Sequence, residues 1–142
     1  MLSRKRKTRG QSALEMALAV PAIILLLVVV ADFARVFYAS VTVAHAARAG
    51  VQYGAQSYVT AINYPKIQQA ALDDGSTVSG LSATATDFCM CNGSKVACSP
   101  QQCSAPQLFV QVTAKATFST FLRYPGIPSS IPLQSTAIME VQ

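Results

Sequence analysis

The chain has 142 residues, 51% of them apolar and only 12% charged, against an ordinary charged share of about 25%. That length holds one small domain plus an anchor, and the absence of Trp together with a single His argues against a histidine-rich metal or catalytic centre. The net charge of +5 is local: Arg4, Lys5, Arg6, Lys7 and Arg9 carry it, and the six remaining basic residues balance six acidic ones.

A basic cluster can mark nucleic-acid binding. Here it abuts an apolar run, where it reads as a topogenic flank, and no nucleic-acid partner is expected. Met16 to Ala31 carries no charge, and extension back to Ala13 gives nineteen residues with Glu15 as the one charged side chain. A bilayer core about 30 Å thick needs around 20 helical residues, so residues 13–31 are long enough to span it. Basic residues precede the run while Asp32 and Arg35 follow it, which places residues 1–10 in the cytoplasm and residues 32–142 outside. Pro21 inside the run removes one backbone donor.

Two readings of this N-terminus compete. A secretory signal would be cut after small residues, at Val29-Val30-Ala31, before Asp32. An anchor would keep the run in the mature chain. The pattern beyond it favours the anchor, because Phe33, Val36, Phe37, Val41, Ala44, Ala47 and Val51 recur at helical spacing. No Gly or Pro interrupts from Ala22 to Ala49. One helix from about Ser12 to about Gly54 is predicted, with Gly50 a weak point near its end and the second half (residues 32–56) amphipathic.

A carboxylate inside a membrane segment costs about 2.5–3.5 kcal/mol on insertion scales, so Glu15 needs either headgroup-level solvation or a partner. Cleavage after Gly10 would supply one: Gln11 then presents a new α-amino group one helical turn away. An acid in a first turn also suits the helix dipole.

Gly10, Glu15-Met16, Pro21, Asp32-Phe33, Arg35, Phe37-Tyr38 and Ala46-Ala47-Arg48-Ala49-Gly50 together resemble the TadE-like pseudopilins of the tight-adherence (Flp) branch of type IV pilus proteins. Met16 stands where many relatives carry Phe. The resemblance covers about the first third of the chain. It implies a 1–10 leader removed by a prepilin peptidase between Gly10 and Gln11, and a role for Glu15 in assembly. It further implies partnership with other pilin or pseudopilin subunits through the N-terminal helix. Location follows as single-pass in the inner membrane, with passage to a surface filament after assembly. Small residues at Ala39, Ala44, Ala46, Ala47 and Gly50 permit close helix approach.

Residues 57–142 read as a β-rich extracytoplasmic head. A short helix from Pro65 to about Leu72 is predicted, ended by Asp73-Asp74-Gly75; the two acids read as a cap rather than a calcium site. Thr77 to Phe88 reads as a strand. Leu108 to Phe118 alternates, with Val110, Val112, Ala114, Ala116 and Phe118 on one face. Tyr124-Pro125-Gly126, Pro128 and Pro132 form a turn-rich loop, and Leu133 to Val141 a final strand. The fold class is α+β and pilin-like, a long helix packed on a small antiparallel sheet that covers its apolar stripe.

Cys89, Cys91, Cys98 and Cys103 allow three pairings. Four thiolates in fifteen residues could instead hold zinc, but the C-x-C step is short for a knuckle, and disulfides persist outside the cytoplasm. Cys89–Cys91 would close a tiny ring; the nested (Cys89–Cys103, Cys91–Cys98) and crossed (Cys89–Cys98, Cys91–Cys103) patterns remain, and a hairpin would favour the nested one. Asn92-Gly93-Ser94 fits a glycosylation sequon, although Asn-Gly is also a turn signal. His45 has no second His or acid at hand and reads as solvated or at a packing edge. No nucleophile motif, Gly-rich phosphate loop or cofactor signature occurs, so no enzyme activity and no cofactor are expected. The expected function is a membrane-anchored pilin-like subunit of a filament for adhesion. The alternative is an exported small adhesin or binding module with no filament role.

Overall fold

Helix α1 runs from Arg9 to Gly54 in the computed structural model, which describes residues 9–98, 106–121, 126 and 128–142, with side chains from Ser12 onward. Pro21 sits inside this 46-residue helix without ending it. The chain divides between Arg35 and Val36 into two compact units. In the first, the apolar side chains from Leu14 to Val30 lie mostly exposed, and none of the apolar window that qualifies α1 as a membrane span is buried.

The second unit begins with the rest of α1. Two short helices follow, α2 (Tyr58–Ala61) and α3 (Tyr64–Asp74). Helix α2 was not anticipated, and its four residues are too few for periodicity to reveal. It is held by a capping box in which Ser57 accepts from the Thr60 amide and the Thr60 hydroxyl accepts from the Ser57 amide. Asn63 caps α3, Pro65 lies in its first turn, and Gly75 ends it by donating its amide to the Ala71 carbonyl. Asp73 accepts from the Gln69 amide at 2.6 Å, one turn back on the same helix.

The sheet has four antiparallel strands, β1 (Ser82–Cys91), β2 (Ser94–Val96), β3 (Gln107–Ser119) and β4 (Ser130–Glu140), in the order β2-β1-β3-β4. The β3 strand follows its alternation closely, burying Val110, Val112, Ala114 and Ala116. Three strands were expected and the described residues form four; β2, only three residues long, is too short to show a period. Thr77 to Leu81 is not strand; Gly80 turns there with φ +72, which a strand cannot accommodate. The last strand begins at Ser130 rather than Leu133 and includes Pro132. Pro is tolerated there because β4 lies at the sheet edge and needs no ladder donor on its outer side.

Two adjoining clusters form the core of this unit. Val43, Ala46 and Ala47 of α1 meet Ala114 and Ala116. Val51 joins Ile67, Ala71, Ala85, Val110 and Val112. Gly50 is no weak point. A Cβ there would sit 3.1 Å from the Ala71 Cβ, the Ile67 carbonyl oxygen and the Val112 Cγ1, tighter than ordinary contact, so Gly lets α1, α3 and β3 approach this closely without displacement.

Candidate functional site: the N-terminal helix and the disulfide hairpin

Gly10 and Gln11 fall in the first turn of α1, and Glu15 lies exposed one turn further on. From there the large exposed side chains are Leu, Met, Val and Ile up to Val30. Such a surface is stable only when something apolar covers it, since contiguous apolar patches beyond a few hundred Å² are rare on soluble monomers. By length and composition this helix is fit to cross a membrane.

Asp32 closes the apolar run. It is 2% exposed and accepts a hydrogen bond from Arg35 Nη1 at 3.2 Å, one helical turn on. From composition alone the two were only flanking charges; their i, i+3 spacing was the available signal for an ion pair. His45 is exposed.

Cys89, Cys91 and Cys98 sit at the hairpin formed by β1 and β2. Asn92 (φ 49) and Gly93 (φ 78) form its two-residue turn, joining Cys91 to its partner Ser94. This is the left-handed geometry that Asn-Gly favours, so the turn reading of that step holds. Cys89 is bonded to Cys98. Cys91 is also disulfide-bonded, and Cys103 lies outside the described residues. The nested pattern expected from a hairpin is therefore wrong, since it needs Cys89 joined to Cys103. The reason is the hairpin's centre. A nested pattern requires a turn midway between Cys91 and Cys98, but the turn falls at Asn92-Gly93. Cys98 then lies four residues past Ser94, about 13 Å along the chain, beyond reach of Cys91 across a tight hairpin. It meets Cys89, whose strand partner is Val96. The bond consumes two of the four thiols that a zinc site would need.

On the outer face of the sheet, Phe88 and Phe109 stack with ring centroids 5.5 Å apart, and Lys95 Nζ lies 3.8 Å from the Phe88 centroid. Gln107 donates to Glu140 at 3.1 Å beside them. On the α3 side, the Tyr64 hydroxyl donates to Asp87, and this hydrogen bond holds the phenol above its ordinary value, aided by partial burial and by the charge of Asp87. Neither arrangement was read from the sequence, because each depends on strand register.

These features define an α+β chain with a long apolar N-terminal helix whose second half packs on an antiparallel sheet. Within that class, residues 10–52 match the family model of the TadE-like protein. The matched segment lies within α1, where the sequence resemblance was also found. No curated protein and no solved structure matches the chain.

Proposed function

We propose that this chain is a pilin-like, TadE-like subunit, anchored in the inner membrane by α1 and then assembled into a surface filament for adhesion or supporting its assembly. The match over residues 10–52 carries this reading, together with the exposed apolar surface of the same helix. In this reading residues 1–10 are a cytoplasmic leader, and a prepilin peptidase cleaves between Gly10 and Gln11. Residues 13–31 span the bilayer and residues 57–142 form the extracytoplasmic head. The Gln11 amine released by cleavage neutralises Glu15, within a subunit or between neighbours, and spares the membrane an unpaired carboxylate. Other pilin or pseudopilin subunits are the partners, met through the N-terminal helix. The chain performs no catalysis.

Mass spectrometry of the mature N-terminus tests the proposal. Gln11 as first residue is the expected result. Asp32 as first residue would discard the anchor and turn the chain into an exported binding module.

A further inference from the structure

Beyond the apolar run, α1 presents two faces. Ala39, Val43, Ala46, Ala47 and Gly50 turn inward on the head. The opposite side carries Phe37, 70% exposed, and Tyr38, 60% exposed, one turn before the part-exposed Val41. Large rings so open to solvent are costly unless something covers them. The neighbouring hydroxyls are already satisfied: Ser40 Oγ donates to the Phe37 carbonyl at 2.8 Å and Thr42 Oγ1 to the Tyr38 carbonyl at 2.9 Å. No charged side chain occurs from Val36 to Ala44. This stretch can therefore enter a medium poorer in water without stranding a polar side chain.

A third exposed ring follows the end of β3. Strand β3 descends α1: Val110 lies against Gly54, Val112 against Gly50, and Ala114 and Ala116 belong to the cluster around Val43 and Ala46. From Val112 to Ser119 is about 23 Å of strand. From Gly50 back to Phe37 is about 20 Å of helix. Continued along α1, the strand is long enough to bring its end to the level of Phe37, and Phe121, two residues on, is 71% exposed.

From this we infer that Phe37, Tyr38 and Phe121 form an aromatic rim that seats the head on the outer headgroup layer of the bilayer. Tyr favours that boundary because its body is apolar while the boundary still offers water to its phenol, and Phe is common on apolar faces that dip into the headgroup layer. Phe37 follows the last residue of the apolar run by six helical positions, about 9 Å, which is headgroup depth when residues 13–31 span the core. The inference rests on the anchor reading above, and the occupant is lipid rather than a second copy of the chain.

The absence of Trp from the chain makes the test direct. Phe37→Trp, Phe121→Trp and Leu25→Trp are each placed in the full chain and reconstituted in phosphatidylethanolamine–phosphatidylglycerol vesicles. The lipids carry bromine either near the headgroup or at the chain end. Retention of the Cys89–Cys98 bond and an unchanged far-ultraviolet dichroism spectrum select the folded variants. The expected result is strongest quenching by shallow bromine, with blue-shifted emission, at positions 37 and 121, and strongest quenching by deep bromine at 25. Water-like, unquenched emission at 37 or 121 with deep quenching at 25 overturns the rim and leaves the anchor standing. No quenching at 25 overturns the anchor and the rim with it. A blue shift at 37 that grows with protein-to-lipid ratio, without bromine quenching, assigns the face to a second copy and also overturns the inference.

Discussion

Gly50 shows how one missing side chain sets the distance between a helix and the layers it packs on. Ala at this site would gain about 1 kcal/mol of helix propensity, but overpacking costs about 1–3 kcal/mol. One of the three contacts at 3.1 Å is a backbone oxygen, which cannot swing aside. The second effect should win. Gly50→Ala is expected to destabilise the head by about 1 kcal/mol, seen as a lower urea midpoint in detergent with an unchanged m-value; an unchanged or raised midpoint would show that the layers can separate freely. Tyr64 gives a pH-dependent counterpart. Its folded pKa is raised above 10.0 by Asp87, so its stabilising contribution is complete below about pH 10 and is lost as pH rises through the folded value. Asp87→Asn keeps an acceptor but removes the charge. Tyr64 should then ionise at lower pH, as read from tyrosinate absorbance against a Tyr64→Phe reference, and alkaline unfolding should begin earlier. Identical titrations in the two backgrounds would mean that the hydrogen bond does not form in solution.

Among the elements, the hairpin couples turn chemistry to covalent pairing. A ring closed with a sequence separation of 9 is worth about 2.5–3 kcal/mol in the chain-entropy account. Replacing Cys89 and Cys98 together by Ser should cost about that much or more, because Cys89 also lies in the core. Non-reducing peptide mapping should recover Cys89 joined to Cys98; a Cys91–Cys98 peptide would contradict the hairpin register. The sequence contained the signals for the turn, and what it lacked was their combination. Asn92-Gly93 was legible as a turn, yet weighing the cysteines by their own spacing put the hairpin centre in the wrong place. The long elements were legible for a plainer reason. In α1 and β3 the burial period repeats many times, whereas β2 and α2 are shorter than any period that could announce them. Pro132 misled because a breaker is tolerated at an edge, and edge position follows from strand order, which only the fold supplies.

For the whole molecule, the two units of the chain obey different demands on one helix. The apolar run before Arg35 buries almost nothing within the protein, and its composition alone made it legible as a helix fit to cross a membrane. The stretch from Val36 to Gly54 instead supplies Val43, Ala46, Ala47 and Val51 to the head's core. Its amphipathic spacing was legible, but the partners of each residue depended on the sheet. Val43 and Val51 alone contribute about 3–6 kcal/mol by burial, comparable with the roughly 5–15 kcal/mol by which a typical domain is stable. A chain beginning at Val36 should therefore fold, with dispersed amide resonances and a cooperative melt. One beginning at Gln52 keeps every strand but should not fold, because the sheet's inner face would have no helix to cover it. Folding of the Gln52 chain would mean that α1 is dispensable to the head. Because a chain cut before Asp32 retains the same core residues, its head should melt like that of a chain beginning at Gln11, and the apolar run before Arg35 is what separates an anchored subunit from an exported one.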